Sequence, residues 1–320
     1  MSDASLPTVD VVMIAFNKEA TIAEAIRGVM KQKGSFKLRL IIMDDCSTDR
    51  TAHIASEWAD RYPDKILYIR NPHNLGLQGN YLEGFRHCTG RYLAICDADD
   101  YWFSSRKLAR QVGYMETHPQ CGLTFHRVVN LYEPSGEMSL SNGGQAADTT
   151  IADLARGNYI TNLSVVYRRS LVDLSNLPAW IADDRAPDYA FHMLYASRGS
   201  IHYFGRPMGV YRQSAAGNWS MADRFERLKM SLMVRLNLIT ELAHHPEAVT
   251  GLKAASTNIL RSMQQCADTP ERRDFISDQA ARLDITLPDE PTPPAASPRH
   301  RPLLTRIRAA ISRLIPRPKP

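Results

Sequence analysis

Three apolar runs near the start of the chain end in the same way, each stopping at a small group of amides or carboxylates. Val9 to Phe16 runs into Asn17-Lys18-Glu19, Leu38 to Met43 into Asp44-Asp45, and Tyr92 to Cys96 into Asp97-Ala98-Asp99-Asp100. Each run has the length and the β-branched, apolar make-up of a strand buried on both faces. Between them the spacing turns helical. Ala20 to Gln32 places Ile22, Ala25, Ile26, Val29 and Met30 on one face, and a helix from about Arg50 to Tyr62 follows the Ser47-Thr48-Asp49 cluster. Ile66 to Arg70 reads as a further strand, Asn71 to Gly76 as a loop and Gly79 to Thr89 as a helix. Strand–helix alternation at this pitch predicts an α/β protein with a mostly parallel sheet flanked by helices. In such sheets ligands bind beyond the carboxyl ends of the strands, so the three polar clusters are expected in one crevice.

Asp97, Asp99 and Asp100 constrain the chemistry. Three carboxylates at the end of one apolar strand repel one another unless a cation or a hydrogen-bonding ligand offsets them. Magnesium or manganese does this with oxygen ligands, usually one or two carboxylates together with substrate phosphates. The competing reading is a helix cap, one Asp capping a helix that starts near Ser104 or Ser105 while its neighbours stay solvated. A dinucleotide-binding fold requires a glycine-rich turn after the first strand; the turn here, Ala15 to Glu19, contains no glycine.

Four motifs, in order and spacing, carry a family resemblance: Ala15-Phe16-Asn17-Lys18-Glu19, then the run from Ile41 through Asp44-Asp45 to Thr51, then Asn74 to Phe85, then Arg91 to Gln111. Over residues 8–112 the chain resembles the donor-binding half of family 2 glycosyltransferases of the GT-A fold. The resemblance implies an inverting transferase using a nucleoside-diphosphate sugar and a divalent metal, Mn2+ or Mg2+. It places Ala15, Phe16, Asn17 and Glu19 along the base and ribose, and gives Asp45 the imide N–H of uracil or thymine. Asp44 is assigned to loop structure and Asp49 to a helix N-cap. Asp97 goes to the ribose or the metal and Asp99 to the metal; Asp100 either joins the metal shell or caps the next helix. Asn80 and Gly76 match family positions, with a helix surface and a turn as their plainer readings. One departure stands out: many relatives carry a tyrosine where this chain has Phe16, which leaves stacking but removes a hydroxyl.

Residues 113–220 are expected to form the acceptor and catalytic half, completing a GT-A domain over 1–220. Leu123 to Val129 and Ile160 to Arg168 read as strands, residues 133–150 as a loop, and Ile201 to Phe204 and Val210 to Arg212 as strands. His126 is read as a partly buried histidine with substrate contact as the alternative. Relatives begin a helix with Glu-Asp and draw their base from that Asp; here Pro187-Asp188 stands in its place, and proline suits a first helical turn. Asp188 is therefore the expected catalytic base, with Asp183 and Asp184 as substitutes. Arg212 and the loop around Trp219 are expected near the donor diphosphate.

Helical spacing over about 222–243, 250–267 and 271–283 predicts an α-helical appendage spanning 221–287, followed by a proline-rich linker over 288–300. The net charge of +5 is local: seven Lys/Arg and no acid lie between Arg299 and Lys319, leaving about −2 for the rest, which argues against a nucleic-acid-binding face. Within 301–320, Leu303, Leu304, Ile307, Ile311, Leu314 and Ile315 form one stripe, so residues 301–316 read as a basic amphipathic helix for an anionic membrane, with docking on protein as the alternative. Five cysteines without metal-ligand spacing suit a reducing compartment. Residues 1–10 lack the features of a signal peptide and no apolar run approaches the ~20 residues of a membrane span. A cytoplasmic enzyme, peripheral at the inner face of the membrane, is expected. It would move sugar from a UDP- or dTDP-sugar to an acceptor hydroxyl, plausibly on a lipid-linked or surface glycan. A sugar nucleotidyltransferase or an inactive nucleotide-sugar scaffold are the competing readings.

Overall fold

Strand β1 (Thr8–Ala15) lies at the centre of the parallel half of the molecule. In the computed structural model, which describes residues 6–133, 135–183, 187–214 and 222–288, it pairs in parallel with β2 (Lys37–Asp44) on one side and β4 (Tyr92–Ile95) on the other; β3 (Ile66–Arg70) extends the sheet beyond β2. The register sets Ala15 opposite Asp44. The period-2 alternation of these strands sorts their side chains into two cores. Val12, Ile14, Ile41, Met43, Leu93 and Ile95 face α3 (Gly76–Arg86) and α6 (Pro187–Ala196). Val9, Val11, Met13, Leu40, Ile42 and Ala94 face α1 (Ile22–Met30), α2 (Thr51–Arg61) and α4 (Lys107–Thr117). Both faces are covered, which is why the runs are apolar throughout rather than alternating.

The second half adds antiparallel pairings. β9 (Val166–Arg168) pairs antiparallel with β4 and with β6 (Cys121–Tyr132); β6 runs parallel to the long β10 (Ser200–Gln213). β10 in turn holds the short β5 (Tyr101–Trp102), giving the order β3-β2-β1-β4-β9-β6-β10-β5. Because β5 directly follows the acidic motif, the Tyr101–Val210 pairing brings the end of β10 beside Asp99 and Asp100. At Gly28 of α1 an added Cβ would come within 2.8 Å of the Trp102 carbonyl, so the close packing of α1 on the motif's far side requires glycine there.

Several local expectations are corrected. The two strands predicted over 201–204 and 210–212 are one strand with a bulge between Phe204 and Gly209. Most of the stretch predicted as strand over 160–168 is a loop, with a 3-10 turn at Asn162–Ser164, leaving only β9. The loop predicted over 133–150 contains β7 (Glu137–Leu140), antiparallel to β6, and β8 (Asp148–Thr149), antiparallel to β10; the Ser/Gly/Asn composition hid two short edge strands. Helix α5 (Ile151–Ala155) follows, with Thr150 and Asp153 forming a capping box.

Helices α7 (Arg224–Glu241), α8 (Pro246–Gln264) and α9 (Pro270–Arg282) follow the catalytic half. Val234, Leu238, Leu242, Ala248 and Leu252 belong to the same core as Leu154, Tyr189 and Met193, so the break at 220/221 separates elements that share a core. The outer ends form a satellite cluster of Phe225, Leu232, Leu236, Leu260, Met263 and Ile276. The Trp219 loop, Asp184 and the linker and basic helix over 289–320 lie outside the described residues.

Candidate active site

The β1–α1 and β2–α2 turns are stitched together before any ligand is considered. Asn17 takes a left-handed backbone (φ 53). Its N–H donates to Ser47 Oγ (3.0 Å) and its Oδ1 accepts from Thr48 N (2.8 Å). Glu19 N donates to Asp49 Oδ2 (3.0 Å), and Glu19 Oε2 accepts from Arg50 N (3.0 Å) at the start of α2. The side chains of Asn17 and Glu19, assigned to the donor by resemblance, are thus occupied in holding the two turns. Asp49, expected as the N-cap of α2, stands one residue earlier: the N-cap position is Arg50, and Asp49 Oδ1 accepts from Thr51 N at 2.9 Å. Ala15 is buried, with its carbonyl on Asp45 N, while Phe16 stands 46% exposed at the rim.

The acids of β2 are similarly satisfied. Asp44 Oδ1 accepts from Ser47 N (3.0 Å) and Oδ2 from the Tyr68 hydroxyl (3.0 Å), with Arg70 Nε 3.4 Å away. Asp45 Oδ1 accepts from Asn71 Nδ2 (2.9 Å) and Leu75 N (2.7 Å), and its Oδ2 from Gly76 N (2.9 Å). Asp45 therefore builds the loop into α3 and keeps one acceptor position on Oδ2. Asn80 is buried rather than on the helix surface. Its Oδ1 accepts from Asn71 and its Nδ2 donates to the Met43 carbonyl (3.1 Å), so it braces the loop.

The end of β4 differs. Cys96 N and Ala98 N continue the pairing onto the carbonyls of Val12 and Ile14, so the motif stays in the sheet. Asp97 accepts from the Tyr81 hydroxyl and from Asn162 Nδ2 (3.4 Å), which also donates to Tyr81 Oη (2.8 Å). Burial, with the Asp99 charge second and Asp188 adding, pushes Asp97 up to about 7 against those hydrogen bonds. Asp100 is buried and accepts from Arg212 N (2.9 Å); burial, then Asp99 and Asp97, push it well above the carboxylate range. It caps no helix, since α4 starts only at Lys107. With one oxygen taken by β10, we assign Asp100 to locking that strand onto the motif rather than to a metal. Asp99, its side chain 40% exposed, pairs with Lys18 Nζ at 2.9 Å.

Arg212 is more engaged than expected. Its Nη1 donates to the Asp99 carbonyl (2.7 Å), Nη2 pairs with Glu24, Nε lies 3.6 Å from Glu133, and the guanidinium stacks over Tyr101. It fastens β10, the motif and α1 together. Asp188 stands in the first turn of α6, where Oδ2 accepts from Asn158 Nδ2 (3.4 Å), and its charge acts on Asp97, Tyr81 and Tyr211. Asp183 is exposed in a separate 3-10 turn. His126 is buried with Nδ1 on the Arg127 carbonyl (2.7 Å); burial and Lys107 hold it well below the usual histidine range.

Four residues of the crevice were not singled out from the sequence: Lys18, Tyr81, Asn162 and Tyr211. Tyr211, on β10, has its hydroxyl pushed above the usual phenol range by burial and then by the charges of Asp100, Asp99, Asp188 and Asp97. Tyr81 alone carried a signal, lying beside Asn80 on the buried face of α3.

Residues 10–172 match the profile of Glycosyl transferase family 2. The chain belongs to that family. The family read from the four motifs is the one found. The uncharacterized protein Rv1520 of Mycobacterium tuberculosis is 33% identical over 270 residues, 82% of this chain and 76% of that one. WfaP of Escherichia coli, a UDP-Glc:alpha-D-GlcNAc-diphosphoundecaprenol beta-1,3-glucosyltransferase, is 33% identical over 110 residues, 34% of this chain and 41% of that protein. The crystal structure of S. aureus TarS 1-349 in complex with UDP-GlcNAc superposes with a TM-score of 0.60 at 16% identity, covering 87% of this chain and 88% of that one. The glycosyltransferase has the GT-A type of fold.

The crevice fits a divalent cation held jointly with a substrate. Among the described residues no group of three or more His, Cys, Asp or Glu side chains forms a ready cage. One accessible hard-oxygen carboxylate, Asp99, already carrying an ammonium, is the arrangement expected where diphosphate oxygens and water complete a magnesium or manganese shell.

Proposed function

We propose that the enzyme is an inverting glycosyltransferase that moves a sugar from a UDP- or dTDP-sugar to an acceptor hydroxyl. The observation that supports this most is the placement of Asp188 at the start of α6, within electrostatic reach of Asp97. A base set apart from the metal carboxylate suits a single displacement. Asp188 takes the proton of the acceptor hydroxyl as its oxygen bonds to the anomeric carbon, the bond from that carbon to the diphosphate oxygen breaks, and configuration inverts. No covalent enzyme intermediate is required. Asp99 would hold the metal, which when bound neutralises the leaving diphosphate.

The base preference rests on Asp45. With three N–H donors already on its carboxylate, one acceptor position remains. One position matches the single imide N–H of uracil or thymine and not the paired donors of guanine. Phe16 at the rim offers a face for the base, and Asp97 an oxygen for ribose. The acceptor reading follows the likeness to WfaP, whose acceptor is a sugar on a lipid diphosphate. No helix among the described residues is long and apolar enough to cross a membrane, so contact with a lipid-linked acceptor is assigned to the basic segment 301–316.

A thermal-shift panel of UDP-, dTDP-, GDP- and CMP-sugars with manganese or EDTA tests the donor. Metal-dependent stabilisation by a UDP- or dTDP-sugar is expected, whereas stabilisation by GDP-sugars alone would reverse the base assignment. Anomeric analysis of the transfer product tests inversion, and retention would remove it. Truncation after Leu287 should abolish sedimentation with anionic liposomes; unchanged sedimentation would remove the membrane contact.

A further inference from the structure

Lys18 is unlike its neighbours in the β1–α1 turn. Its backbone is fixed on both sides: the N–H donates to Thr51 Oγ1 (2.7 Å), and the carbonyl accepts from Thr21 N (3.0 Å) and Ile22 N (2.9 Å). Its side chain is not fixed in that way. The ammonium reaches across the crevice to Asp99 Oδ2 at 2.9 Å, with Lys18 33% and Asp99 40% exposed. A four-carbon stem on a rigid root gives a charge that can swing without moving the turn. The other nearby cation cannot do this, because Arg212 is held by the Asp99 carbonyl, Glu24 and Glu133.

A divalent metal on Asp99 would stand within a few ångströms of the Lys18 ammonium, and the repulsion between the two cations weakens the ion pair. Metal on Asp99 therefore competes with Lys18, and an ammonium that leaves needs another anion. The metal-bound diphosphate of the donor supplies one within the same crevice. On the donor and metal reading above, we propose that Lys18 is a placeholder cation that leaves Asp99 for the donor diphosphate and thereby couples metal binding to donor binding. The coupling is reciprocal: UDP tightens manganese by the factor by which manganese tightens UDP. Lys18 contributes because its ion pair with Asp99 opposes metal alone, while its contact with the diphosphate favours the two together.

Calorimetric titration of manganese, without and with UDP, tests this on wild type, Lys18→Gln and Lys18→Arg, and requires no turnover. Without nucleotide, Lys18→Gln should bind manganese about two- to five-fold tighter than wild type, the range for a partly exposed ion pair. Its UDP–manganese coupling should fall by at least the same factor, and Lys18→Arg should retain coupling. Manganese affinity in Lys18→Gln equal to or weaker than wild type would overturn the proposal while leaving the donor reading intact. Wild type that binds neither UDP nor manganese would overturn both.

Discussion

Two parallel strands that flank β1, β2 and β4, each end in closely spaced acids, and the two ends are in opposite states. At β2, Asp44 and Asp45 accept from backbone N–H groups and an amide of the loops they organise, and from the phenol of Tyr68 on β3. At β4, burial and then the Asp99 charge raise the proton affinity of Asp97 and Asp100, and the ammonium of Lys18 pairs with Asp99. The first end is a frame whose carboxylates are satisfied by the protein except for one acceptor position on Asp45. The second is held in a conformation its own charges oppose, which is what a site awaiting a cation and a diphosphate requires. The same residue type, one strand apart, therefore predicts opposite outcomes on substitution.

The largest effect is expected on turnover. Asp188→Asn removes the base while keeping shape, and should lower kcat by about 10²- to 10⁴-fold with donor affinity unchanged. Asp99→Asn should instead lose metal-dependent donor binding, measured by calorimetry with UDP and manganese. Full turnover in Asp188→Asn would move the base elsewhere, and unaltered metal dependence in Asp99→Asn would take the metal off β4. At the frame end, Asp45→Ala leaves Leu75 N without its acceptor and strips one of two acceptors from Gly76 N and from the Asn71 amide. A loss of about 3 kcal/mol in urea unfolding is expected; a loss below about 1 kcal/mol would mean water replaces the carboxylate and the frame is not what holds the turns.

That contrast was only half legible in the sequence. The parallel strands, the helices between them and the convergence of three polar clusters follow from period-2 and helical spacing, which depend on local chain geometry. The assignments of Asp44 to loop structure and of Asp99 to the metal came with the family resemblance, and Asp44 does accept from Ser47 N and the Tyr68 hydroxyl. What spacing does not carry is which donors each acid meets. Asn17, Glu19, Asp45 and Asn80 were read as ligand-facing because they match family positions, yet their partners lie nine to thirty-one residues away on other turns. Tyr81, Asn162 and Tyr211 reach the motif from α3, the loop before β9 and β10, tertiary neighbours that one sequence cannot name. The short edge strands over 137–149 were missed for a related reason: paired on a rim, they need little apolar content.

The β4 side is flanked by α6, where a further group is held uncharged. His192 is buried, its Nδ1 hydrogen-bonded to the Tyr167 hydroxyl (2.6 Å), and burial pulls it down to about 3. Its folded-state value lies below that of the unfolded chain, near 6.5, so its neutral form contributes stability that is fully present above about pH 6.5. That contribution is lost as pH falls toward 3, at about 1.4 kcal/mol per pH unit. Urea unfolding of wild type and His192→Gln should show this as a difference that changes between pH 7 and pH 5, against the variant's flatter profile. Parallel pH profiles would mean the ring is protonated in the folded protein.

The smallest expected effect has the sharpest sign. Asp100→Asn keeps an oxygen for Arg212 N and removes one of three acids that repel one another in a buried setting. In buffer with EDTA, so that no metal offsets the charge, the variant should be more stable than wild type by about 1 kcal/mol, read as a rise of about 2–4 °C in Tm. Asp44→Asn, by contrast, presents an amide where Ser47 N and Tyr68 donate, and should lower Tm. The two substitutions are chemically identical and sit at the carboxyl ends of two parallel strands that flank β1, so residue type, size and helix or strand propensity cancel in the comparison. A fall in Tm for both would mean that the β4 acids are satisfied by the fold as fully as those of β2, and the distinction between frame and site would then fail on its own terms.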